Sequence, residues 1–371
     1  MPLLVSGFYF SYFAIIGVYV IFMPKVLEMV HYAPSEIGLI FASAPLVRFA
    51  VPFAFIRGLK LDRKVFNAAL ALMIGAAAAF FPALPHFWAL LAANIILGIG
   101  LSLILPYIEV IVLEGIGRER YGKVRLFGSV GFILVALALV KVLDAPQTAL
   151  LFLLGTVFTT AFFGYVIAGH DAKRNVPPPT HADTARFSLL AHPGLWIGFL
   201  LMQVSFGPFY NFFTIYETAH GVSMDMTIYL WSFGVIAEIV LFYFQGPLLR
   251  RSLPHLLRFA AAVTVLRWLI VWRFPENLPL LFAAQSMHAV SFALFHTAAI
   301  SHLYTLYAQK KLAQQFFFGI SYGLGGFIGA VGSGYLYEYA PQVLFLAAAT
   351  AAALAFAALR PRRTGTPFPR T

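Results

Sequence analysis

The sequence predicts an all-α membrane protein of twelve transmembrane helices, arranged as two six-helix bundles in parallel repeat. Three observations predict it. Of the 371 residues, 61% are hydrophobic and only 11% charged, whereas soluble domains average about 25% charged residues. Apolar runs long enough to cross a bilayer, about 20 residues each, follow one another with short breaks. The second six runs then echo the first six in glycine and charge placement. An outer-membrane barrel would instead show shorter alternating segments.

The runs fall at 3–24, 35–56, 65–84, 88–113, 121–143, 147–169, 193–218, 226–248, 255–272, 279–305, 314–338 and 341–360. The sequence begins Met-Pro-Leu-Leu-Val and enters the first run almost at once, without a basic leader or a small-residue cleavage site, so this run reads as a retained helix. The second carries Arg48 between Pro45 and Pro52, and the third and twelfth hold Ala-rich stretches suited to plain packing. In the fourth, Glu109 lies just past Pro106, whose missing N–H loosens the local helix. Before the fifth run, Gly117-Arg-Glu-Arg-Tyr-Gly-Lys-Val fits a phosphate-binding loop at seven of eight positions. The eighth excludes it, because Val124 cannot supply the hydroxyl that binds Mg²⁺.

Residues 170–192, with Pro177–Pro179 and several charges, read as a solvated linker after the sixth run. The domains expected are a bundle over 1–169, a second bundle over 193–360 and a tail at 361–371. The seventh run offers Gln203 and Asn211 and the rings Phe209, Tyr210, Phe212 and Tyr216; the eighth adds Trp231 and Glu238. Rings of this kind, with Tyr107 in the fourth run, would suit a planar cargo by stacking, although ordinary helix packing uses the same residues. The ninth run carries Arg267, and the tenth carries His288, His296 and His302. Ionisable groups inside a membrane cost roughly 2.5–3.5 kcal/mol each on insertion scales, so they face a cavity or one another.

Net charge is +11, and 20 of the 25 Lys and Arg lie in 57–64, 118–125, 173–186, 250–258, 310–311 and 360–370. The opposite loops are acid-leaning, with Glu28, Glu36, Asp144, Glu217, Asp225, Glu276 and Glu338. The positive-inside rule places both termini and the linker in the cytoplasm, so the charge sets topology and implies no nucleic-acid partner. With no cysteine, disulfides, thiol catalysis and Cys-based metal sites are excluded, and no metal or other cofactor is expected.

The repeat is legible in detail. Gly58-Leu-Lys-Leu-Asp62-Arg63 follows the second run, and Gly246-Pro-Leu-Leu-Arg250-Arg251 follows the eighth, 188 residues on. Gly128-Ser-Val-Gly131-Phe-Ile in the fifth run is answered by Gly323-Leu-Gly-Gly326-Phe-Ile in the eleventh. Six spans plus six in the same orientation form the parallel repeat of the major facilitator fold, with its site between the halves near mid-membrane. Small residues at those positions let helix backbones approach closely.

YGKVRLFGSVGFI (121–133), YLWSFGVIAE (229–238), VLRW (265–268) and the span from Gln285 to His296 resemble the phenylpropionate permease group. This is a branch of the major facilitator superfamily near the lactose permease and the oligosaccharide and nucleoside proton symporters. The resemblance covers nearly the whole chain. It implies that Glu109, in P-x-x-E, and Arg125 form a substrate-binding pair, and that Glu238, Arg267 and His288 form a proton-coupling charge network. It also implies that Gly58, Asp62 and Arg63 belong to a gating loop. The sugar symporters carry a carboxylate three residues after the His; here that position is Ser291, so coupling through that group is not carried over.

The function expected is secondary transport, with proton-coupled uptake of a small organic solute at a multi-pass site in a bacterial cytoplasmic membrane. An aromatic carboxylate is the first choice of cargo, a sugar or nucleoside the second, and a transport-dead sensor the alternative class. Substrate contacts are expected from Glu109, Arg125, Arg48, Tyr107, Gln203 and Asn211. The partners expected are substrate, protons and lipid, with a monomer as the working unit. Neither an H-E-x-x-H motif nor a Ser–His arrangement argues for an intramembrane enzyme.

Overall fold

The computed structural model describes residues 2–57, 59–116, 118–171 and 187–360; Gly58, Gly117, most of the linker and the tail at 361–371 lie outside the described residues. Among the described residues every regular element is helical. Eleven helices are long and apolar enough to cross a membrane by length and composition. The seventh run forms two shorter pieces.

The spans are α1 (Pro2–Met29), α2 (Pro34–Ile56), α3 (Arg63–Ala83), α4 (Phe87–Ile116), α5 (Arg118–Val142) and α6 (Pro146–Asp171). There follow α7 (Pro193–Ser205 with Gly207–Ala219), α8 (Met224–Phe244), α9 (Leu253–Arg273) and α10 (Leu278–Leu306). Last come α11 (Lys310–Phe317, Phe318–Gly325 and Gly326–Tyr339) and α12 (Leu344–Ala358). Lys123 falls inside the helix α5, so the near match to a phosphate loop is not a loop at all.

The break in α7 has a local cause. Pro208 has no N–H to give to the carbonyl one turn back, so regular bonding lapses at Phe206–Gly207. That gap lies where α7 crosses α11: a Cβ on Gly207 would sit 2.6 Å from Gly329 Cα. The two backbones meet as small residues permit in a bilayer.

Three other spans change pitch midway. Val18–Phe22 in α1, Ala289–Leu294 in α10 and Phe318–Gly325 in α11 are π-helical. Such segments leave an extra residue per turn, re-aim side chains and recur at functional sites.

α1 packs on α5 and α6, α2 on α4, and α3 on α4 and α6; α12 packs on α7 and α9, and α8 and α9 pack on α10. Between these two sets, α2 runs along α11, α5 meets α8, and the end of α1 meets the end of α7. The repeated glycines divide their work. Gly131 abuts the Phe10 backbone of α1, within its own set, whereas Gly323 and Gly326 abut Phe49 and Pro45 of α2, across the two sets.

Direct contacts across the sets gather at the acid-leaning end. Lys25 Nζ donates to Thr218 Oγ1 at 3.2 Å, the Ser35 N–H donates to Glu338 Oε2 at 2.9 Å, and Lys141 pairs with Asp225. A Cβ on Gly38 would lie 2.8 Å from Gly334 Cα. This end of the molecule is closed.

One acid departs from the sequence-based topology. Glu217, counted in the sequence with the acids of the loops at that end, is fully buried in the last turns of α7. The helix runs on to Ala219, so the residue belongs to the span and not to its loop.

Candidate functional site

The expected site residues fall into two clusters. In the first, α4 brings Glu109 and α5 brings Arg125 to within 4.0 Å, Arg125 Nε to Glu109 Oε1. Each side chain keeps about a third of its surface accessible, 33% and 34%. The Arg125 guanidinium also lies over the rings of Phe13, at 4.1 Å, and Tyr9, at 5.2 Å. Cation–π contact of this kind holds the planar fork without using its donors. Gly128, one turn on, is required here, because a Cβ would strike the Phe13 ring at 2.6 Å.

Arg48 on α2 is the second cation of this region. It is half-buried, and among the described residues it has no hydrogen bond or ion pair. It lies within electrostatic reach of Tyr12 and Tyr19 of α1, Tyr210 of α7 and Tyr322 of α11. Neighbouring Pro45 and Phe49 fix its helix against the glycines of α11.

The second cluster is drier and more tightly bonded. Arg267 on α9 is fully buried and donates from Nη2 to Gln285 Oε1 at 3.0 Å and from Nη1 to Ser291 Oγ at 3.2 Å. Nη1 also donates to His288 Nδ1 at 2.9 Å. Arginine has donors only, so Nδ1 is the acceptor and the imidazole proton of neutral His288 resides on Nε2. That nitrogen faces Glu238 Oε2 at 3.5 Å. Rings of Phe209 and Trp268 cover the guanidinium at 4.4 Å and 4.3 Å.

The expected Glu238–Arg267 pairing is therefore indirect. His288 stands between the two charges and binds both, because the rings over Arg267 and the bonds to Gln285 and Ser291 hold the guanidinium on the α10 side. Ser291 takes the role of acceptor at the position where the sugar symporters carry a carboxylate.

Other expected site residues are placed differently. Tyr107 stacks on Phe66 of α3 with centroids 4.2 Å apart, which commits its ring to packing inside the first set. Asn211 is buried and its Nδ2 donates to Gly207 O of its own helix. Gln203 is buried where α7 meets Gly325 of α11. Phe209 packs on Trp231, Phe212 on Tyr337 and Tyr216 on Phe345, so these rings are core. Asp62 caps α3 by accepting the Val65 N–H at 2.9 Å, and Arg63 is exposed at the same turn.

Further groups complete the region, of which Tyr322, Tyr19 and Asn94 were not singled out in the sequence. His296 Nδ1 and the Tyr322 hydroxyl are 2.7 Å apart, and His296 lies within electrostatic reach of Arg125 across the two sets. Tyr210 lies within reach of Arg48, Glu238 and Arg267, between the two clusters. In the first set, Tyr19 donates to Asn94 Oδ1 at 2.8 Å, and Asn94 donates on to Ile40 O and Ser43 Oγ. Tyr19, Ser291 and Tyr322 all sit in the π-helical segments. A tyrosine or asparagine among so many apolar residues carries no sequence signal of this kind.

Comparison with known proteins agrees with this architecture. The probable 3-phenylpropionic acid transporter of Escherichia coli (strain K12) is 27% identical over 352 residues, covering 91% of each chain. The uncharacterized transporter YwbF of Bacillus subtilis (strain 168) is 22% identical over 227 residues, 59% of this chain and 56% of its own. Among solved structures, the nucleoside transporter NupG superposes with a TM-score of 0.79 at 16% identity, covering 96% of this chain and 98% of its own. The transporter FucP, in an outward conformation, gives 0.62 at 16% identity over 96% and 97% of the two chains. The model of the MFS_1 like family matches residues 3–347, and the chain belongs to that family: it is a major facilitator superfamily membrane transporter and not an enzyme.

Proposed function

We propose that this transporter carries an aromatic carboxylate, bound between the two sets of helices and taken up together with protons. The observation that carries the reading is Arg48, a cation in reach of both sets and without a hydrogen bond or ion pair among the described residues. A buried or half-buried charge without a partner is costly, and a substrate carboxylate would supply the missing anion. Arg125, loosely paired to Glu109 at 4.0 Å, is the second anchor. Tyr12, Tyr210, Tyr322 and His296 offer polar and aromatic surface for the rest of the cargo. The E. coli relative's name supports the same class of cargo.

In this reading the halves are 1–169 and 193–360, joined by the cytoplasmic linker 170–192 and followed by the tail at 361–371, and they rock about the site as a monomer. The basic end faces the cytoplasm of a bacterial inner membrane, the acid-leaning end is closed, and cargo is reached from the cytoplasmic side. The proton gradient supplies the driving force and no cofactor takes part. Glu238, His288 and Arg267 are the charge network through which protonation would be felt, and Gly58, Asp62 and Arg63 the loop that tunes the switch.

Thermal stabilisation of the purified protein by phenylpropionate, a sugar and a nucleoside is the first test, followed by uptake into proteoliposomes. Stabilisation by the carboxylate alone, lost in Arg48→Gln, is expected. Stabilisation by the sugar or nucleoside instead would overturn the choice of cargo.

A further inference from the structure

Several part-exposed acids in this protein have an evident partner; the one acid that is fully buried among the described residues does not. Glu36 accepts from the Ala33 N–H, Glu338 from the Ser35 N–H, Asp225 pairs with Lys141, and Glu238 meets His288. Glu217 is fully buried, and neither Oε1 nor Oε2 has a hydrogen-bond partner.

The turn that follows makes the residue's position specific. After α7 the Val222 N–H bonds back to the Glu217 carbonyl, and after α1 the Tyr32 N–H bonds back to the Leu27 carbonyl. Both turns pass through a left-handed residue, Gly221 in one and His31 in the other. Glu217 is thus the counterpart of Leu27, which is itself buried. The second half places a carboxyl where the first half places a packing leucine.

Nothing charged answers it from the helices packed on that part of α7, which are α1, α2, α8, α11 and α12. Lys25 is engaged by Glu28 and Thr218, Glu28 by Lys25, and Glu36 and Glu338 by backbone N–H groups. Asp225 is held by Lys141, Tyr337 stacks on Phe212, and Tyr19 donates to Asn94. On α7 itself His220 Nδ1 meets the Tyr216 carbonyl, and the Tyr216 ring packs on Phe345. α12 brings no titratable side chain to the contact. An ionised carboxylate in such a place would lose its hydration and gain no hydrogen bond. The next residue, Thr218, receives the cross-set bond from Lys25 that closes this end.

We propose that Glu217 is a proton-binding site of the transport cycle: the carboxyl holds a proton while the acid-leaning end is closed and releases it when that end opens to water. This rests on the reading of the protein as an alternating-access transporter. The closed state then binds one proton more than the open state, so raising the pH draws the population toward opening at that end, and lowering it favours closure. The site is separate from the Glu238–His288–Arg267 network.

The chain has no cysteine, so spin labels at His86→Cys and Glu276→Cys, both exposed at the acid-leaning end, report its opening without background. In the otherwise unchanged protein the expected result is a longer-distance population that grows as pH rises. In Glu217→Gln, an isosteric neutral side chain, the short distance should persist at every pH. The same pH-dependent opening in Glu217→Gln as in the parent, or no pH dependence in the parent, would overturn the proposal. If Glu217→Gln does not fold, dicyclohexylcarbodiimide provides the check on the parent, since it adds to protonated carboxyls in apolar surroundings. Modification found at Glu217 by peptide mass spectrometry supports the site, and its absence while other carboxyls react overturns it. Failure of the cargo reading would appear separately, as no thermal stabilisation of the parent by phenylpropionate.

Discussion

The two charge clusters lie one in each helix set and are built on opposite terms. Around Arg125 the contacts are loose: one carboxylate at 4.0 Å, two ring faces, and a third of the side chain accessible. Around Arg267 they are tight: three hydrogen-bond acceptors meet Nη1 and Nη2, rings cover several sides and nothing is exposed, although Nε has no acceptor. A guanidinium in reach of water can take a ligand; one buried, with both terminal nitrogens engaged by a neighbouring helix, holds its helices together. In the proposed reading the first cluster therefore serves binding and the second serves rigidity.

The largest effect should come from breaking the buried cluster. Arg267→Met removes the cation that Gln285, His288 and Ser291 were arranged to meet, and leaves Glu238 buried without its relayed positive charge. Removing one member of a buried ionic group costs about 3–5 kcal/mol in soluble proteins. We expect a large drop in melting temperature in detergent, partly recovered in Arg267→Met with Glu238→Gln. A single variant as stable as the parent would show that the cluster is not structural.

Arg125→Lys should do the reverse, leaving the melting temperature near the parent's and cutting phenylpropionate affinity by about tenfold or more. Lys keeps the charge but loses the planar fork and its stacking on Phe13. Titration calorimetry on the folded variant is the measurement. Equal losses of stability and affinity would erase the distinction between the clusters.

Much of the fold was legible because bilayer crossing imposes a length and an apolar content that any window along the chain reports. α1 to α6 and α8 to α12 are seen in that way. The break in α7 was less so: Gly207-Pro208 is in plain view, but its meaning depends on Gly329, more than a hundred residues on. Of the site, Glu109, Arg125, Glu238, Arg267 and His288 stood out because charges inside spans are rare. The pairing of Glu109 with Arg125 followed from the resemblance, but the insertion of His288 between Glu238 and Arg267 did not, since it depends on how α8, α9 and α10 pack. Glu217 was misread because a residue two positions from a helix end looks the same in sequence whether it turns inward or out.

Glu109→Gln sharpens the comparison by testing whether the loose carboxylate belongs to the site's chemistry. For an anionic cargo, neutralising Glu109 removes repulsion and leaves Arg125 less occupied, so affinity should rise, by about twofold to fivefold. For a sugar or nucleoside it should fall, because a charge-assisted acceptor is lost. Calorimetry with each ligand gives the sign directly. An unchanged affinity for every ligand would move the site toward Arg48 and Tyr322.

The smallest effect is expected at the acid-leaning end, from Lys141 and Asp225. This pair spans the two sets, but its side chains are 59% and 47% exposed. Exposed ion pairs contribute about 0–1 kcal/mol and are screened by salt, with a Debye length of about 10 Å at 0.1 M. Asp225→Asn should therefore change uptake into proteoliposomes by less than about fivefold at low salt, and by nothing measurable at high salt. The direction depends on what limits the cycle: faster if opening this end is the slow step, slower if closing it is. A loss of uptake that persists at high salt would mean that this pair, and not the backbone meeting of Gly38 with Gly334, decides whether the end stays closed. The geometry argues against that outcome, since two glycine backbones in contact exclude water and lipid over a whole helical turn, which a solvated ion pair does not.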